Sequence, residues 1–176
     1  MRRLCLFVPC AVLALLLGAS TAHADLTAFV GAQSNPSTRM TRGVSGGSGF
    51  LIVAFEGEYA QTSADEVCGP VLTSDGCAPS VRTVMFNGLV QTPRGIIPKV
   101  QLYATAGAGY YRIRYEALDV QDTGFGTNVG GGVKIDLAGP LRLRLDYRIF
   151  KLTDAFDAEG LDPVSQRFYA GVNLAF

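Results

Sequence analysis

From residue 25 onward, apolar and polar residues alternate in short runs separated by clusters of Gly, Pro, Asn and Asp. A side-chain period of two is the signature of a β-strand, in which successive residues face opposite sides of a sheet. The cleanest run places Leu141, Leu143, Leu145, Tyr147 and Ile149 on one face and Arg142, Arg144, Asp146 and Arg148 on the other. The last run reads in the same way, with Phe168, Ala170, Val172, Leu174 and Phe176 in one row and Arg167, Tyr169, Gly171, Asn173 and Ala175 in the other. No stretch keeps a helical period.

The pattern predicts strands over residues 26–33, 38–45, 50–61, 81–92, 97 onward, 125–137, 141–149 and 167–176, with a turn at 34–37 and short turns at 46–49, 93–95 and 138–140. In the fifth strand Leu102, Ala104, Ala106 and Ala108 oppose Gln101, Tyr103, Thr105 and Gly107. Past Tyr110, Arg112 and Arg114 fall into the apolar row. Two explanations stand at that point: a bulge near Gly109, or a strand that has risen past the surface its apolar row covers.

Composition and charge narrow the setting. Arg2 and Arg3, the apolar run of residues 4–17 and the small-x-small pattern Ala22-His23-Ala24 read as a secretory signal over residues 1–24, leaving one domain over residues 25–176. No later stretch reaches the roughly 20 apolar residues that a membrane helix needs. The domain keeps 13 basic and 15 acidic residues, a net charge of about −2, so no basic field suits nucleic acid. Its two cysteines, Cys68 and Cys77, flank the turn signals Gly69-Pro70 and Asp75-Gly76. In an oxidising compartment they are expected to close that loop as a disulfide, with two separate thiols as the alternative.

Eight strands with short and longer connections in alternation fit an all-β, eight-stranded antiparallel up-and-down β-barrel. A soluble β-protein would turn the charged face of residues 142–148 outward; a transmembrane barrel inverts this, with the apolar row in lipid and the charges in the lumen. The exported chain and its aromatic end favour the inverted arrangement.

The runs Tyr103 to Tyr110, Asn128 to Val133, Leu143 to Arg148 and Phe168 to Phe176 resemble those of the OmpA-type small outer-membrane β-barrel family, over essentially the whole domain. The resemblance implies a location in the bacterial outer membrane, with outer-membrane lipid and lipopolysaccharide around the barrel. It also implies a terminal signal made of Phe168, Val172, Leu174 and Phe176 that the barrel-assembly machinery reads. No cell-wall-binding domain of the kind larger members carry is expected after Phe176, so cell-wall tethering is not carried over.

The alternation assigns Glu56, Glu58, Lys99, Lys134, Asp136, Arg142, Arg144, Asp146 and Arg148 to the lumen. An eight-stranded barrel has an interior just wide enough for side chains, and charges there must pair. Arg142, Arg144 and Arg148 are therefore expected to reach Glu56, Glu58, Asp136 and Asp146. The expected function is a monomeric, non-enzymatic barrel with a filled, ion-paired lumen and a structural or surface-interaction role. Alternatives are a narrow channel for ions or small solutes, and a secreted lipocalin-like ligand-binding barrel. The lone His23 lies in the signal, which leaves acyl-transfer or hydrolytic chemistry without its usual base. No metal or cofactor site is expected. Gly107, Gly109, Gly130 and Gly132 lie within strands, without the helix a phosphate loop needs, and are read as making room for lumen side chains. The acid-rich connections (Asp65, Glu66 and Asp75; Glu116, Asp119 and Asp122; Asp154, Asp157, Glu159 and Asp162) are read as solvated, with divalent-cation bridging to lipopolysaccharide as the alternative. Tyr59, Tyr110, Tyr111, Tyr147, Phe150 and Tyr169 are candidates for an interfacial girdle, whereas Phe29 and Tyr103 are assigned to inward packing.

Overall fold

The structure, a computed structural model, describes residues 23–34, 37–64, 79–115, 120–152 and 164–176. Eight strands follow in chain order: β1 His23–Ser34, β2 Arg39–Phe50, β3 Val53–Thr62, β4 Ser80–Gln91, β5 Val100–Tyr115, β6 Val120–Ala138, β7 Leu141–Leu152 and β8 Val164–Ala175. Each pairs antiparallel with its chain neighbour, and β8 pairs with β1 to close a barrel. Closure leaves no edge whose backbone groups would lie unpaired in lipid. The seam is finished at its lower end by Ala24 and Phe176, which exchange backbone hydrogen bonds of 2.7 and 2.9 Å.

The register sets the barrel's shape. Followed once around from Leu102 through Val133, Leu145, Ala170, Val30, Arg42, Gln61 and Arg82, the pairing returns to β5 at Arg112, ten residues further along (112 − 102). With eight strands, a rise of about 3.3 Å per residue and a spacing of about 4.8 Å, that stagger tilts the strands by roughly 40°.

Two features differ from the sequence reading, and a third chooses between its alternatives. Residues 46–49 (Gly-Gly-Ser-Gly) do not form a turn: β2 runs straight through them, and the chain reverses at Leu51-Ile52, with Leu51 in the left-handed region at φ 54°. The expected start of the third strand, Phe50, is thus the end of β2, paired with Val53. Glycine reads as a turn signal in isolation. Here the absence of Cβ serves packing, because a Cβ on Gly47 would meet the Phe55 carbonyl oxygen, and one on Gly49 would lie 2.8 Å from Ala54 Cβ.

Secondly, of the two alternatives for β5 the structure has the rising strand and no bulge. Its pairing with β4 and β6 is unbroken to its upper end, Tyr111 and Ile113 stay inward and buried, and Arg112 and Arg114 stay outward. Thirdly, the aromatic candidates divide. Tyr59, Tyr110 and Tyr147 face outward, while Tyr111, Phe150 and Tyr169 are buried inside. Phe29 and Tyr103 are inward and buried.

Polarity is inverted throughout. The outward row is apolar and exposed, with Leu26, Val30, Val84, Phe86, Val129, Phe168 and Val172 among its members. The buried interior is rich in Arg, Glu, Asn and Thr. The fold is a transmembrane up-and-down barrel whose core is its lumen.

The ion-paired lumen as candidate functional site

The inward positions of β7 supply Arg142, Arg144, Asp146 and Arg148, one per pleat, and the other strands present partners at matching heights. At the centre, Glu56 on β3 receives both Nη groups of Arg144. One contact is to Oε2 and the other, at 3.3 Å, to Oε1. Arg148 Nη2 donates to the same Oε1 at 2.9 Å. Asp146, on the strand of both arginines, accepts from Arg144 Nη2 at 3.1 Å and Arg148 Nε at 2.8 Å. Tyr103 on β5 closes the cluster: Arg144 Nε donates to its hydroxyl oxygen at 2.7 Å, and that hydroxyl donates to Asp146.

Towards the loops lies a second layer. Glu58 pairs with Arg148 Nη1 at 3.1 Å and with Arg167 Nη1 at 2.8 Å. Arg167 also donates to Gln33 and Thr83, and its guanidinium lies 4.2 Å from the ring centre of Phe150. The Tyr169 hydroxyl accepts from Arg148 at 3.2 Å, and its ring stacks on Phe29 at 4.0 Å. Towards the turns, Asp25 binds Lys134, and Arg142 Nε lies 2.7 Å from Asp136.

Seven of the nine expected lumen charges are therefore buried inside: Glu56, Glu58, Lys134, Arg142, Arg144, Asp146 and Arg148. Two are not. Lys99 is exposed in the β4–β5 turn, because Pro98 lacks an amide to donate to a ladder, Lys99 itself takes a left-handed φ of 63°, and β5 begins only at Val100. Asp136 stands at the lower rim, where β6 shifts register before its turn, with 52% of its side chain exposed while still holding Arg142. The expected pairing set omitted Arg167, Asp25, Tyr103 and Tyr169. The signal for Arg167 was its place in the inward row of β8, and for Asp25 its parity with Thr27 and Phe29.

Within the described network, five cations (Lys134, Arg142, Arg144, Arg148 and Arg167) meet five carboxylates (Asp25, Glu56, Glu58, Asp136 and Asp146). Charge is balanced, and each carboxylate is engaged by a cation, so none of them is a free general base. The inward glycines make the room. A Cβ on Gly132 would strike the Leu145 carbonyl and the Tyr103 hydroxyl, and one on Gly130 would lie 2.8 Å from Arg148 Cγ. At the lower end a cavity of about 10 Å³, bordered by Asp25, Glu56, Gln91, Arg94 and Lys134, remains. This is space for a single water.

Residues 11–176 match the family model of the outer membrane protein beta-barrel domain. The chain belongs to this family. Among solved structures it is similar to Neisserial surface protein A, with 16% identity and a TM-score of 0.65 over 89% of this chain and 98% of that one. It is also similar to the N-terminal β-barrel domain of Pseudomonas aeruginosa OprF, with 14% identity and a TM-score of 0.63 over 88% and 97%. A third is Ail, the attachment invasion locus protein of Yersinia pestis, solved in complex with the heparin analogue sucrose octasulfate, with 14% identity and a TM-score of 0.54 over 88% and 98%. At these identities the likeness is one of fold. No curated protein matches the chain.

Other expectations rest elsewhere. The terminal row Phe168, Val172, Leu174 and Phe176 faces outward and is exposed. Cys68 and Cys77, the expected signal and the acidic positions of the connections lie outside the described residues, except His23 and Ala24, which open β1, and Asp122, which is exposed on β6.

Proposed function

We propose that the protein is exported by residues 1–24 and resides as a monomeric barrel in the bacterial outer membrane, where it serves a structural or surface-interaction role without enzymatic activity. The observation that carries this reading is the filled lumen: Glu56, Glu58, Asp146, Arg144, Arg148 and Arg167 meet across it in two layers, with Tyr103 and Tyr169 between them. A continuous water path would have to break buried ion pairs, at several kcal/mol for each charge left unpaired. The loop-end connections, the longest of which carries Cys68 and Cys77 as a proposed disulfide, are then the part offered to partners outside the cell. The terminal row ending at Phe176 is what the barrel-assembly machinery reads.

Planar-bilayer recording on the purified, refolded barrel tests the filled lumen. Silence, or brief small events, is expected; a steady large conductance overturns it in favour of a channel. Fractionation with the outer membrane and heat-modifiable migration on gels test the location, and a soluble periplasmic protein would sink it. The outward apolar row already opposes a lipocalin-like barrel, which carries its apolar surface inside.

A further inference from the structure

Among the described residues, the charges on the outward rows of the strands are all of one sign. Among the described residues, the outward positions of the eight strands carry Arg42, Arg82, Arg112, Arg114 and Lys151 and no carboxylate. Arg82, Arg112, Arg114 and Lys151 lie at the loop ends of β4, β5 and β7, beyond the apolar outward rows, whereas Arg42 on β2 stands between the outward Met40 and Val44. Three of them share one line of the register: Arg42 pairs with Gln61, Gln61 with Arg82, and Arg82 with Arg112. The line one pleat below is apolar and aromatic, running Val44, Tyr59, Val84, Tyr110 and Phe125, with the last two rings in edge contact at 6.0 Å. Outward aromatics mark the depth at which hydrocarbon gives way to headgroups, and Tyr110 with Phe125 stands one pleat below Arg112, which puts Arg112 and its neighbour Arg82 at headgroup level.

Arg82 and Arg112 stand directly opposite each other on the outward face, and among the described residues no carboxylate pairs with either. Like charges directly opposite across two strands repel, and among the described residues the outward rows hold no carboxylate to offset them. Two guanidinium forks side by side form a natural cradle for a phosphate, which can accept paired hydrogen bonds from both. Beside Arg42 the outward surface also hollows into a groove of about 660 Å³, lined by Ala28, Val30, Val44, Tyr59, Leu143 and Val172, an apolar channel in which an acyl chain can lie.

We propose that Arg82 and Arg112 form a binding site for the phosphate of an acylated glycolipid of the outer leaflet, lipopolysaccharide, whose acyl chain occupies the groove. This rests on the outer-membrane reading above, which supplies a phosphorylated lipid at that depth.

The test is lipid titration of the detergent-solubilised barrel followed by native mass spectrometry, using diphosphoryl lipid A, chemically dephosphorylated lipid A and phosphatidylglycerol as probes. Wild-type protein is expected to retain diphosphoryl lipid A preferentially, with retention falling as salt is raised. R82Q/R112Q should lose affinity by about tenfold or more, the worth of one good charge-assisted contact. Should the double variant fail the heat-modifiability check for folding, the single variants R82Q and R112Q are each expected to lose about threefold or more on the same scale. Unchanged affinity in a folded variant, or equal retention of dephosphorylated lipid A, overturns the site. Equal retention of phosphatidylglycerol overturns the assignment to lipopolysaccharide. Fractionation of the wild type separates the two readings: protein found in the outer membrane whose variants keep their lipid sinks the site alone.

Discussion

Glu56 is the residue on which the lumen network converges, because it neutralises Arg144 and Arg148 together. Replacing it by Gln keeps the shape and removes the charge, leaving two buried guanidinium groups to share Asp146 and Glu58. Removal of one partner from a buried ion pair costs roughly 3–5 kcal/mol. Chemical unfolding of refolded E56Q is expected to show a loss of that order. Lys99 is the control: it was expected in the same network but is exposed in a turn, and K99Q should change stability by no more than about 0.5 kcal/mol. The contrast shows what alternation reveals at this scale. Parity gives the side of the sheet on which a residue lies. Whether an inward residue is deep in the lumen or at its rim depends on where the strand ends, and that separates Lys99 and Asp136 from the buried seven.

Within the strands, glycines divide by face. Gly132 points inward against Leu145 and Tyr103, whereas a Cβ on the outward Gly57 would meet nothing nearer than the Gly46 carbonyl at 3.9 Å. G132A is expected to destabilise the barrel by about 1–3 kcal/mol through overpacking, and G57A to be neutral or stabilising by up to about 1 kcal/mol. The gel temperature at which each refolded variant loses its compact form ranks them; equal temperatures would contradict the account. The β2–β3 turn makes a related prediction. Leu51 holds φ 54° with its side chain 74% exposed, a backbone state that glycine adopts freely. L51G is expected to raise stability by about 0.5–1 kcal/mol in the same assay. The turn was misplaced in the sequence reading because four consecutive residues rich in glycine signal a reversal locally, while the pairing of β2 with β1 and β3 holds them extended. The continuation of β5 past Tyr110 has the same origin: its neighbours β4 and β6 carry the ladder upward after the apolar row has ended.

For the whole molecule, closure makes one more prediction. Phe176 presents its ring outward and exchanges two backbone hydrogen bonds with Ala24 at the seam. Those bonds are made to Ala24, which leaves with residues 1–24 on the export reading, so in the mature barrel the deletion removes the terminal aromatic alone. The refolded truncation should unfold only slightly earlier than wild type, while its yield in the outer membrane falls several-fold; unchanged membrane yield would argue against a terminal assembly signal. Strand number, topology and the inverted polarity of the wall were determined by the sequence alone, because a period of two is a local property and each run, such as residues 141–149, carries it unaided. Three things were decided only by the tertiary structure. The ten-residue stagger chooses which residues share a height, and so joins Arg167 of β8 to Glu58 of β3 and sets Arg82 against Arg112. Inter-strand pairing keeps residues 46–49 extended. The lumen's narrowness makes Glu56, Asp146 and their arginines a single buried unit. Each depends on residues far apart in the chain meeting across a closed surface, where no local pattern reaches.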